Sequence, residues 1–137
     1  MKKLLLICLA ASLLPACADK NEYHQAVLEQ VEKEQDVKDY KIAPETMADC
    51  VVALTSQKMP GVFALDPERM TAYRNYAKML NMSKTEDLKK SMDELRTAFG
   101  SGQALADAHA NYTESLLECY TTVVSKSEEE EKSKDKE

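Results

Sequence analysis

Tryptophan is absent from the 137 residues, and the chain has only two Phe, three Gly, four Pro and two His. Three glycines are too few for the turns of a β sandwich or barrel, and none stands in a phosphate-cradling loop. No group of His, Asp and Cys, and no nucleophile with a base beside it, marks a catalytic centre. An excess of positive charge is missing too, since 18 Lys and Arg face 24 Asp and Glu. That balance argues against nucleic acid and anionic lipid surfaces as partners. No apolar run reaches the roughly 20 residues that a membrane-spanning helix needs.

What is present favours helices. The 44% apolar share draws on Ala, Leu and Met, which are good helix formers. The clearest periodicity lies in residues 103–124, where Leu105, Ala108, Tyr112, Leu116, Cys119 and Val123 recur at steps of three and four. These define one face of a helix about 33 Å long. Pro44 suits the first turn of an earlier helix, with Met47, Cys50, Val51 and Leu54 on its stripe and Pro60-Gly61 as its stop. Val62, Phe63, Ala64 and Leu65 form an apolar connector expected to plug the end of the core.

Asp66-Pro67-Glu68 reads as the next helix start, continuing through Met70, Tyr73, Ala77 and Leu80 to about Asn81. Ser83-Lys84-Thr85-Glu86 has the spacing of a capping box and predicts a third helix from Lys84. That helix turns Leu88, Met92, Leu95 and Phe99 inward and ends at Gly100. Short links between these segments predict an all-α fold, an antiparallel up-down-up-down four-helix bundle over residues 43–125. Residues 17–42 carry only Tyr23, Val27 and Val31 at four-residue spacing among charged neighbours. They are expected to form a charged tether or a loosely docked helix. Residues 126–137 contain only Ser, Glu, Lys and Asp and are expected to be a disordered acidic tail.

The first 16 residues read as a signal peptide, with Lys2 and Lys3 ahead of an apolar stretch at 4–14 and small residues at its end. Leu14-Pro15-Ala16-Cys17 resembles the lipobox of bacterial lipoproteins, although Pro15 stands where a small or aliphatic residue is usual. The resemblance covers the leader alone. It implies diacylglycerol and palmitate-type acyl chains at Cys17, cleavage before that residue, and a membrane held through the N-terminal lipid. Ala18 behind the cysteine, rather than Asp, resembles the sorting pattern for the outer membrane, with the domain facing the periplasm. Ala16-Cys17-Ala18 also fits ordinary signal peptidase, which would cut before Asp19 and leave a soluble periplasmic protein. With Lys2 and Lys3 removed, 16 basic residues remain against 24 acidic ones, a charge of about −8.

Cys50 and Cys119 are the pair left for a disulfide, in a compartment that permits one. Each lies about two turns from the end of its helix and on that helix's apolar stripe, so antiparallel neighbours would bring them level. Tyr73, Arg74 and Tyr76, with His109 and Asn111, are the aromatic and polar clusters that best fit an interaction surface. The expected function is a non-enzymatic protein-interaction or adaptor module that binds an unidentified envelope protein without a cofactor. One alternative is a periplasmic haem or metal carrier using His109 and one of Met47, Met70, Met79, Met82 or Met92. That pairing resembles the Met and His ligation of periplasmic four-helix cytochromes. Another is an enzyme inhibitor or immunity protein whose acidic domain suits a basic target.

Overall fold

The computed structural model describes the backbone of residues 14–134 and the side chains of residues 18–126. Among these residues the fold is all-α, without a strand. Residues 1–13 of the signal peptide expected from the sequence, and the side chains of the whole lipobox, fall outside the described parts.

Helix α1, Leu14–Val31, is the first departure from expectation. Tyr23, Ala26, Val27 and Val31 are all at or near zero exposure and belong to the one hydrophobic core. The stretch is therefore a core helix rather than a tether, and the four-helix arrangement expected from the sequence does not account for it. Its stripe is narrow but fully used, because α1 packs against two later helices, most extensively against α4 and also against α3. The polar flanks are accommodated at the edges: Asp19 Oδ2 accepts from Arg74 Nη1 at 2.5 Å, and Gln30 Nε2 donates to Leu80 O at 2.9 Å. Glu29 pairs with Lys84, and His24 Nε2 stands 2.9 Å from Asp49 Oδ1.

A one-turn helix, α2 (Gln35–Asp39), tucks Val37 into the core. Lys41, at φ +53°, then turns the chain into α3, Pro44–Gln57, with Pro44 in the first turn. Met47, Ala48, Val51, Val52 and Thr55 are its buried face. Helix α4, Pro67–Leu80, is capped by Asp66, whose Oδ1 accepts from Glu68 N–H at 2.9 Å.

The capping box expected at Ser83 does not open a helix. Met82–Lys84 form a single 3₁₀ turn, and α5, Leu88–Phe99, begins four residues later under Asp87, whose Oδ1 accepts from Lys90 N–H at 3.0 Å. An Asp directly before the amphipathic run supplies the cap acceptor there, and Thr85 instead closes the turn by donating to Met82 O at 3.0 Å. Gly100 ends α5 at φ +92°, a left-handed conformation that suits glycine.

Helix α6, Gly102–Lys134, is the spine. Ser101 Oγ accepts from Ala104 N–H at 3.0 Å at its start, and Ala108, Tyr112 and Cys119 are buried along it. It runs antiparallel to α3: Thr55 O meets Asn111 Nδ2 at 3.1 Å, and Cys50 meets Cys119 further along. Its 33 residues correspond to about 50 Å, more than twice the length of α3. The tail expected to be disordered is thus helical as far as Lys134, and residues 135–137 lie outside the described part. Glu and Lys are good helix formers, so a helix nucleated in the core propagates into a segment with no apolar residue.

Candidate interaction surface

Tyr73, Tyr76 and Asn111, expected at an interaction surface, are instead buried and engaged inside the bundle. Tyr73 stacks on Tyr23 with centroids 5.9 Å apart, and Tyr76 meets Tyr23 edge-on at 5.6 Å and Phe99 at 5.7 Å. Asn111 Nδ2 donates to Thr55 O at 3.1 Å and to the Tyr76 hydroxyl at 2.9 Å. Because the Thr55 carbonyl only accepts, the amide nitrogen must face it. The Tyr23 hydroxyl lies 2.8 Å from Thr55 Oγ1, and that of Tyr73 3.2 Å from Ser56 Oγ. Burial pushes the Tyr23 and Tyr76 hydroxyls above the ordinary tyrosine range, and that of Tyr112 up to about 12. These groups hold α1, α3, α4 and α6 in register, which is a structural role. Arg74 remains half-exposed but is engaged by Asp19 and Thr71. His109 is exposed on another part of α6.

His109 does meet some of the methionines expected near it. Met79, Met82 and Met92 line a cavity of about 300 Å³ with His109, Leu95 and Leu105. Met47 is buried in the core of α3, and Met70 does not line this cavity. Among the described residues no group of three or more His, Cys, Asp or Glu is placed to hold a metal ion. Cys50 and Cys119 stand at disulfide distance, with Sγ atoms 2.06 Å and Cα atoms 5.9 Å apart.

The exposed apolar surface lies where the sequence suggested a buried plug. Val62, Phe63 and Leu65, between α3 and α4, are 91%, 63% and 47% exposed. Their loop is fastened at both ends. The Arg69 guanidinium donates to Ser56 O, to Pro60 O at 2.9 Å and to Gly61 O at 2.5 Å. Asp66 Oδ2 accepts from Val62 N–H at 3.0 Å, while its other oxygen caps α4. Those two backbone donors, Val62 first, hold the Asp66 carboxyl below the usual carboxylate range. Gly61 adopts φ +92°, and a Cβ there would fall 2.8 Å from Arg69 Cβ, so the loop can pass this close to α4 only with glycine.

Pro60-Gly61 and Asp66-Pro67 bring the ends of the segment together and leave its middle to bulge outward. That bracket was the sequence signal for exposure. Beside the loop runs a groove of about 580 Å³, lined by Pro60, Pro67, Thr71, Asn75, Phe99 and Ala104 among others. Asn75 Nδ2 ties its walls together by donating to Ala98 O at 3.1 Å. Comparison with protein-family models, curated proteins and solved structures finds no match for the chain.

Proposed function

We propose that the chain is a small lipoprotein of the bacterial envelope, anchored through Cys17 and facing the periplasm from the outer membrane. It acts as a non-enzymatic module that contacts another envelope protein. The observation that carries this reading is the opposition of its two ends. The helix that follows Cys17 starts beside the α3–α4 loop, since Asp19 meets Arg74 and Tyr23 meets Thr55. The far part of α6 leaves from the other end, beyond the place where Thr122, Val123 and Lys126 face Tyr40 and Ile42.

One end is therefore suited to anchoring and the other to presentation. Residues 127–134 extend the helix by about 12 Å and include four consecutive Glu at 128–131, a charge pattern that suits a basic protein surface. An interior whose Tyr, Thr and Asn groups are engaged with one another supports a scaffold rather than a reactive site. The test is affinity capture from detergent-solubilised envelope with the full chain and with a chain ending at Ser125. A partner recovered in stoichiometric amount by the first and lost by the second is expected. Equal recovery by both would remove the arm from the account.

The cavity beside His109 favours one second reading, a metal carrier. Three thioethers and an imidazole are soft or borderline donors that suit Cu(I) better than a hard cation. Titration with Cu(I) under a competing chelator, with His109→Ala alongside, checks it. Equal affinity for wild type and variant would end that reading.

A further inference from the structure

The fastened loop and the proposed lipid site share one end of the bundle. Asp19 stands against Arg74 of α4, and Tyr23 against Thr55 and Tyr73, so the chain ahead of Asp19 runs toward the α3–α4 link. Cys17 lies only about 3 Å further along the helix axis than Asp19. Residues 60–65 carry no charged side chain, whereas the Glu-rich arm departs from the opposite end. Arg69, Asp66 and the left-handed Gly61 fasten the loop, and Val62, Phe63 and Leu65 are exposed on it.

We propose that residues 61–65 form a wedge that enters the headgroup and upper acyl region of the same bilayer that holds the Cys17 lipid. The proposal rests on the lipid anchoring argued above and names what covers the loop. Three apolar side chains bind a membrane weakly by themselves. Held beside the bilayer by a lipid, they act at a high effective concentration, and the second point of attachment becomes nearly intramolecular. Two points of contact at one end would also fix the orientation of the domain. The bundle then stands upright, and α6 carries its acidic arm away from the membrane. A negatively charged domain is compatible with this placement because the wedge acts through apolar burial, with no requirement for anionic lipid.

The test uses the full, acylated protein carrying Val62→Cys, labelled with an environment-sensitive fluorophore under non-reducing conditions. It is reconstituted into vesicles of zwitterionic phosphatidylethanolamine and phosphatidylcholine. The label is expected to shift to the blue and to be quenched by lipids that carry a nitroxide near the headgroup. The same label at Lys126→Cys should remain water-like, and adding Phe63→Ser should weaken the quenching at position 62. A water-like label at position 62 on protein that still floats with the vesicles would overturn the wedge while leaving the anchor intact. A blue shift that grows with protein density and is insensitive to lipid quenchers would assign the loop to a second copy, and would also overturn it. Protein that fails to float with the vesicles at all would show that the anchor reading has failed, and the wedge with it.

Discussion

Replacing both Cys50 and Cys119 with Ala tests how α3 and α6 are held together. The cysteines are 69 residues apart in sequence, and the chain-entropy model assigns a loop of that size about 4 kcal/mol of stabilisation through the unfolded state. A domain of this size has roughly 5 to 15 kcal/mol in total, so the share is large. The antiparallel pairing of α3 and α6 has further support, from Asn111 to Thr55 O at 3.1 Å and from Lys58 to Glu114 at 2.9 Å. The exposed Lys58 pair contributes little, but the buried amide bond should preserve the fold without the sulfur bridge. The double variant is therefore expected to fold with wild-type helicity and to melt about 15 °C lower. Circular dichroism during heating reads both quantities. Each single variant should match the double one, because either change removes the whole cross-link. A melting point within a few degrees of wild type would refute the argument. So would free thiols at both positions in protein isolated under non-reducing conditions with free thiols blocked at lysis.

Val27 has no solvent exposure, so Val27→Ala should cost about 2 kcal/mol and lower the urea midpoint, whereas a tether would register no change. Gly61→Ala forces a side chain into a left-handed position 2.8 Å from Arg69 Cβ and should cost about 1 to 3 kcal/mol, read by the same denaturant titration. Asp66 has a carboxyl held below its unfolded value, so its contribution is complete above the ordinary carboxylate pKa and is lost as pH falls through the lowered one. The protection factor of the Val62 amide, its exchange rate relative to an unstructured amide at the same pH, should accordingly persist at neutral pH and fall only under acid, and Asp66→Ala should abolish it throughout. An exchange rate at Val62 unaffected by that substitution would remove the carboxylate from the account of the loop.

The helices marked by strong punctuation were legible. Pro44, Asp66-Pro67 and Gly100 each fix a boundary by a local effect that needs no tertiary context. Cys50 and Cys119 do meet, but their distances to helix ends were a poor guide, since α6 continues to Lys134, far past Cys119; their places on the apolar stripes of two antiparallel helices were the legible part. Helix α1 was harder to read, because a single apolar residue per turn among Glu, Gln and Lys describes a solvated helix as well as one inserted between two others. Only the fold supplies Arg74 for Asp19 and the Leu80 carbonyl for Gln30.

The Tyr and Asn cluster was misplaced for a related reason. Tyr73, Tyr76 and Asn111 offer the same chemistry to a partner's surface and to a buried network, and the choice depends on Tyr23 and Thr55 arriving from other helices. The loop at Val62 to Leu65 was misread because its apolar composition outweighed the geometry of its brackets. Hydrophobicity alone does not decide burial when both ends of a segment are pinned at the surface.

The central claim, that one end of this domain is held at a membrane by Cys17, is tested most directly by intact mass and N-terminal fragmentation of protein extracted from the envelope. The account predicts a mature chain that begins at Cys17 and carries a thioether-linked diacylglycerol. A mature chain that begins at Asp19 and carries no acyl group would contradict it.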